Sequence, residues 1–297
     1  MIPISIDLPD GFLDAEIRNG YEVTSKAKKV WAVELDLLAQ LDRVCKKHNL
    51  KYFGDCGTLL GAVREHGFIP WDDEIDVVML REDYDYLVHN CTNEFSHPYF
   101  LQSAYSDPGY LRSHAQLRNT MTTAILPNEM GIAHFNQGIF LDIFPLDYLP
   151  ETMQLIKRKY KKTERYRTLF HMKMYNDYGN TLKKKIKTIL LKILFLNDGK
   201  LLFHCFENAC KEKHGSFLDK VSYYWDLKQY KHIPVSVYSK IQKMLFEFTE
   251  IPAPIGFELL LTRYYGSSFM TPVQKKAGHQ EHGELIVDPE KSYIEYL

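Results

Sequence analysis

The chain has 297 residues, 45% hydrophobic and 25% charged, with a formal net charge of −1. That length allows one large core or two modest ones, and the charge balance provides no global field to draw in nucleic acid. Five cysteines, an odd number scattered at Cys45, Cys56, Cys91, Cys205 and Cys210, suit a reducing cytoplasm better than a disulfide framework.

The opening MIPISIDLPDGFLD lacks the basic and apolar regions of a secretory signal. Apolar residues then recur at helical spacing from Ser25 to His48, with Ser25 as the expected N-cap. A short strand is expected at Tyr52–Phe53. A glycine turn and a helix follow from Gly57, with Gly67 as the stop signal. Glu74–Leu80 reads as a strand and Glu82–Asn90 as a short helix. Further strands are expected at Tyr99–Ser103, His114–Asn119, Thr122–Leu126 and Ile139–Leu149, with Pro145 at an end or edge of the last.

After Pro150 the character changes. Lys157–Lys192 is strongly basic and mostly helix-compatible, and its apolar stretch ILLKILFL is too short to span a bilayer and is broken by Lys192. The last third mixes short helices with proline-punctuated loops. The expected architecture is α+β: a mixed sheet flanked by helices over residues 1–150, then a mainly helical part over 151–297 that completes a cleft.

The chemistry concentrates in YFGDCGTLLGAVREHGFIPWDDEIDVVMLR, Tyr52–Arg81. Glu74 and Asp76 alternate with apolar residues, so a strand projects both carboxylates from one face while Ile75 and Val77 point into the core. Two close carboxylates at the head of so apolar a run form a cradle for a hard divalent cation such as Mg²⁺, which shares its shell with waters and substrate phosphates. Upstream, Gly57 permits a tight turn, and Thr58 stands at a helix start, where unpaired N–H groups favour phosphate. Either half alone is common capping or solvated surface. Together they read as a phosphate site beside a metal site.

These residues resemble the LicD family of phosphocholine and phospho-alcohol transferases, related more distantly to the fukutin-type proteins. The resemblance is carried by GTLLGAVREHGFIPWDDEIDVVMLREDYDYL and GIFLDIFPLDYLP, and more loosely by IPAPIGFELLLTRYYG and DPEKSYIEYL. It implies a nucleotidyltransferase-like fold, a phosphate turn at Gly57 and Thr58, and Mg²⁺ or Mn²⁺ held by Glu74, Asp76 and Asp142. Asp72 is a further candidate ligand, and Asp142 is either ligand or general base. Two positions depart from the family pattern: Glu74, where aspartate is usual, and Cys56, where a second glycine is frequent. The implied reaction moves a phosphorylated alcohol from a CDP-alcohol to a sugar hydroxyl and releases CMP. CDP-choline is the preferred donor, and the acceptor is a cell-surface glycan precursor, often lipid-linked in this family.

Weaker signals each have a plain reading. Arg64 and Arg81 flank the acids and either pair with them or grip phosphate; the family pattern favours phosphate. Arg118 with Thr120 is a further candidate near the cleft. Trp71 is expected to pack under the acidic loop, with a choline-enclosing role as the alternative. His66 reads as a turn residue, and His279 and His282 as loop histidines of which one could reach a phosphate. Cys205, Cys210 and His214 lack a fourth ligand for zinc. The basic tract is a solvated face or a contact with anionic lipid headgroups, giving a cytoplasmic protein peripheral to the inner membrane face; RNA binding is disfavoured. The rival functions are a metal-dependent glycosyltransferase and a catalytically silent glycan- or nucleotide-binding protein.

Overall fold

The computed structural model describes residues 2–131, 134–174, 186, 189, 199–212, 219–229, 232–273 and 286–297. In chain order the elements are β1 (Glu16–Arg18), β2 (Tyr21–Val23), α1 (Ser25–His48), β3 (Phe53–Gly54), α2 (Cys56–Arg64), β4 (Ile75–Leu80) and α3 (Arg81–Asn90). Then come β5 (Tyr99–Gln102), β6 (Ala115–Asn119), β7 (Thr123–Ile125), β8 (Ile139–Tyr148) and α4 (Met153–Met174). The remainder is α5 (Gly199–Cys210), β9 (Lys220–Ser222), β10 (Ile233–Pro234), β11 (Ile241–Phe246), β12 (Thr249–Pro254), α6 (Phe257–Tyr265) and β13 (Ile286–Asp288). The expected α+β class and mixed sheet are what the chain adopts.

Strand β8 organises the main sheet. On one side β4 runs parallel to it, Ile75 opposite Leu141 through Leu80 opposite Leu146. On the other side β6 pairs antiparallel with its first half and β9 with its end. Pro145 therefore lies inside a ten-residue strand, not at its end. It sits between Ile143, where the β6 pairing stops, and Asp147, where the β9 pairing starts, so no residue opposes it on that side. Among the described residues after Pro150, β9 and β10 extend the main sheet, β11 and β12 form a hairpin, and β13 pairs with β7.

Helix α1 covers one face of this sheet. Its Trp31, Leu35 and Leu38 are buried with Ile75, Val77 and Met79 of β4 and Leu141 and Ile143 of β8. Thr24, not Ser25, caps it: the Thr24 hydroxyl accepts from the Ala27 N–H at 3.2 Å. Asn49, at φ +54°, closes the other end in the left-handed conformation that asparagine tolerates. The opposite face packs Val78 and Leu146 against Leu59 and Leu60 of α2 and Leu260 and Leu261 of α6. Helix α2 stops at Arg64, and the left-handed residue after it is His66 at φ +57°, one position before the expected Gly67. Gly67 serves a close approach instead: a Cβ there would lie 2.1 Å from Glu247 Oε1.

Candidate active site

The site lies on the sheet face away from α1. Ile75 and Val77 point toward α1, so Glu74 and Asp76 project to the other face, as alternation requires. Asp142 stands directly opposite Asp76 across the parallel ladder, and paired residues share a face. The result is a triad: Glu74, Asp76 and Asp142 each offer a carboxylate oxygen within 4.8 Å of the other two, the only such cluster of acids, histidines or cysteines among the described residues.

Helix α2 grips the acidic strand at Asp76. The Asp55 N–H donates to the Asp76 carbonyl at 3.0 Å, and the Asp76 N–H donates to Thr58 Oγ1 at 2.8 Å. Thr58 is 3% exposed. Its hydroxyl is thus not the free phosphate ligand expected from the sequence but the group that fixes Asp76. At Gly57 the close approach is that of a side chain: a Cβ there would lie 2.5 Å from Asp72 Oδ2. The Asp72 carboxylate therefore stands against the first turn of α2, where unpaired N–H groups favour negative charge. Cys56 adopts φ +47°, the left-handed region that favours glycine.

The electrostatics divide the pair. Burial raises the Asp76 carboxyl well above its usual range, and Glu74, Asp142, Asp72 and Asp55 push it the same way. Burial would raise Asp142 too, but the His114 charge and hydrogen bond, the Arg112 charge and the Gln116 amide outweigh it and hold that group below the usual carboxylate range. A carboxylate held low is a better metal ligand than a proton acceptor. Glu34 of α1, fully buried behind the loop, is raised well above its usual value by burial and then by Asp73, Glu74, Asp72 and Asp76. Three hard oxygen donors converging at like-charge contact fit Mg²⁺ or Mn²⁺.

An open cavity of about 460 Å³ adjoins the triad, lined by Cys56, Gly57, Arg64, Trp71, Asp72, Glu74 and Asp76 and closed from the C-terminal part by Tyr265, Phe269 and Val273. Arg64 is in its wall, held by Glu65 at 2.7 Å and the Phe269 carbonyl at 3.1 Å. Trp71 also lines it, edge-on to Tyr21. The tryptophan under the acidic loop is instead Trp31, whose Nε1–H donates to the Asp72 carbonyl at 2.9 Å.

Arg81 is a correction. It is 6% exposed and bound by both Asp147 oxygens at 2.7 and 2.9 Å, with Asp85 and Glu207 at 3.3 and 3.5 Å. Carboxylates occupy its guanidinium, so it braces β8 and α5 rather than gripping phosphate. Arg118 is fully buried and donates to Gln102, the Gly138 carbonyl and Gln116. It reaches the site only through Gln116, whose amide donates to Asp142 Oδ1 at 2.6 Å. His279, His282 and His214 lie outside the described residues, as does the basic tract beyond Met174 apart from Ile186 and Ile189. Within α4, Lys159 turns inward to the Tyr148 carbonyl at 2.6 Å and Glu212 at 3.2 Å.

Sequence reasoning missed Gln116 and His114. His114 Nε2 lies 3.3 Å from Asp142 Oδ1. Their spacing in HAQLR, with His114 just before β6 and Gln116 within it, was the available signal.

Comparison with known proteins agrees with this geometry. The LicD family model, described as LicD/FKTN/FKRP, nucleotidyltransferase domain, matches residues 49–176, a span that contains all three acids. A protein named lipopolysaccharide cholinephosphotransferase LicD, from Haemophilus influenzae, is 26% identical over 245 residues, covering 81% of this chain and 90% of that protein. The chain thus resembles the LicD family, by its domain over residues 49–176 and by this relative over most of its length. Two uncharacterized rickettsial proteins also match. One, from Rickettsia typhi, is 38% identical over 71 residues, 24% of this chain and 21% of that protein. The other, from Rickettsia prowazekii, is 30% identical over 115 residues, 39% of each chain. The LicD domain model begins just before β3 and runs to the end of α4, so it takes in the grip of α2 on Asp76 and the pairing of Asp76 with Asp142.

Proposed function

We propose that this LicD-like chain is a transferase that moves a phosphorylated alcohol, phosphocholine first among them, from a cytidine diphosphate carrier to a sugar hydroxyl. The observation that carries this reading is the convergence of Glu74, Asp76 and Asp142 within 4.8 Å beside the first turn of α2. The cholinephosphotransferase relative supports the choice of alcohol.

In the reaction, the acceptor oxygen bonds to the phosphorus that bears the alcohol. The bond from that phosphorus to the bridging oxygen breaks, its electron pair leaves with CMP, and the hydroxyl proton passes to solvent. Little covalent chemistry falls to the protein, and positioning and charge do most of the work. Glu74, Asp76 and Asp142 would hold Mg²⁺ or Mn²⁺, which when bound offsets charge on the diphosphate. The first turn of α2 borders the same cavity at Cys56 and Gly57, and Arg64 adds a cation in its wall. Residues 1–150 are the catalytic core of this reading, and 151–297 complete the cleft by way of Tyr265 and Phe269. No described helix is long and apolar enough to cross a membrane. A cytoplasmic location follows from this reading, with the exposed basic face of α4 meeting anionic headgroups when the acceptor is lipid-linked.

The test is incubation of the protein with a panel of CDP-alcohols and Mg²⁺ or Mn²⁺, scored by CMP release. CDP-choline is expected to yield CMP, and the D76N and D142N variants are expected not to. Cleavage of a sugar nucleotide instead would make the protein a glycosyltransferase. Binding without any CMP release would make it a silent binding protein.

A further inference from the structure

One polar row crosses four strands of the main sheet. Gln102 of β5 stands opposite Gln116 of β6, Gln116 opposite Asp142 of β8, and Asp142 opposite Asp76 of β4. Directly paired residues share a face, so two amides continue the line of the two acids. All four side chains belong to residues more than nine-tenths buried. The reaction proposed above asks nothing of either amide.

Arg118 locks this row. It lies two residues after Gln116 on β6, and so on the same face. Its Nε donates to Gln102 Oε1, its Nη2 to Gln116 Oε1 and its Nη1 to the Gly138 carbonyl. A guanidinium can only donate. The Gln116 amide oxygen must therefore face Arg118, which turns the amide nitrogen to Asp142, where it donates to Oδ1 at 2.6 Å. His114 Nε2 lies 3.3 Å from the same oxygen. Arg118 is fully buried, yet these three partners are neutral oxygens. Burying a charge against neutral groups is costly, and packing alone would be served as well by an apolar side chain. What the arginine adds is a fixed direction for the amide that holds Asp142.

We propose that Arg118 and Gln116 are positioning residues that set which cation the triad of Glu74, Asp76 and Asp142 accepts. By occupying Oδ1, Gln116 leaves Asp142 one oxygen for the ion, and Arg118 fixes the amide that does so. A rigid, one-oxygen ligand suits a small octahedral cation, Mg²⁺ or Mn²⁺. It disfavours Ca²⁺, which takes more oxygens and often both from one carboxylate. The inference rests on the cation reading of the three acids given above, but its test needs no turnover.

Electron paramagnetic resonance of free Mn²⁺, titrated against the protein without nucleotide, gives the Mn²⁺ affinity. Displacement of bound Mn²⁺ gives the Ca²⁺ affinity. Wild type is expected to bind Mn²⁺ about tenfold more tightly than Ca²⁺, or better. Q116M keeps the bulk of the side chain without its amide and should lose about tenfold or more in Mn²⁺ affinity. Its Ca²⁺ affinity should stay within about threefold of wild type, because the freed carboxylate can meet Ca²⁺ with both oxygens. R118M should show the same pattern, and the double variant Q116M/R118M should bind Mn²⁺ no more weakly than Q116M. A site merely loosened would lose both ions alike. Equal wild-type affinities for the two ions, an unchanged Mn²⁺ affinity in Q116M, parallel loss of both ions, or additive losses in the double variant would each overturn the assignment. The wild-type comparison needs no variant, so misfolding of Q116M would not shield the proposal. Binding of neither ion by wild type would defeat the cation reading and this inference with it. Failure of every CDP-alcohol to release CMP, with these ion affinities as expected, would defeat only the transfer reaction.

Discussion

Asp76 and Asp142 face each other across a parallel β-ladder, and both are more than nine-tenths buried. Like charges so placed destabilise the fold until a cation joins them. Replacing one with asparagine should therefore divide stability from function. D76N is expected to unfold at a higher temperature than wild type in chelator and to lose the stabilisation that Mg²⁺ gives wild type. CMP release should fall about a hundredfold or more, several kcal/mol of transition-state stabilisation. Thermal unfolding with and without Mg²⁺ is the check; an unchanged Mg²⁺ response in D76N would remove Asp76 from the cation site.

Thr58 gives a second prediction. Thr58→Val keeps the shape of the side chain but leaves the buried Asp76 N–H without its acceptor. That should cost about 1–3 kcal/mol in urea unfolding and lower turnover by letting Asp76 shift. Thr58→Ser should restore both. A valine variant as stable and active as the serine one would show that the hydroxyl holds nothing.

Two glycines of α2 should behave differently. A methyl at Gly61 would lie 2.3 Å from the Gly67 carbonyl, which is backbone and cannot step aside. Gly61→Ala should destabilise by about 1–3 kcal/mol. The methyl of Gly57→Ala meets only the carboxylate end of Asp72, which can swing away. That variant should stay within about 1 kcal/mol of wild type while raising the donor KM about tenfold, the equivalent of about 1.4 kcal/mol. Steady-state kinetics beside urea unfolding separates the two cases.

Asp55 should make stability depend on pH. Burial lifts its carboxyl from 3.8 to about 7, and the Cys56 N–H and thiol only partly offset this. The folded state then holds the proton more tightly than the unfolded state. The stabilisation is fully present below the unfolded value of 3.8 and is lost as pH rises through about 7. The amide of a D55N variant does not titrate. The advantage of D55N in melting temperature should therefore grow between about pH 5 and about pH 8. An equal difference at both values would mean that Asp55 does not titrate in this window.

The sequence by itself determined what depends on neighbours along the chain. The apolar spacing of Val30 to Leu41 specified α1, the alternation of Glu74 and Asp76 with Ile75 and Val77 placed two acids on one face, and Gly57 marked a close approach. Such patterns follow from the 3.6 and 2 residue periods of helix and strand and need no knowledge of the partner. Sequence likeness also pointed to Asp142, because its surrounding FLDIFP is distinctive.

Only the tertiary structure decided what each polar group touches. Arg81 and Arg64 both flank the acidic run, yet one is locked to Asp147 and the other lines the cavity. Thr58 turned inward to Asp76, and Gln116 and His114 met Asp142 only because β6 pairs antiparallel with β8 in one register. Register joins residues far apart in the chain, and a slip of one position would send every side chain of the strand to the other face. That choice is made by burial of both sheet faces, which no short stretch of sequence contains.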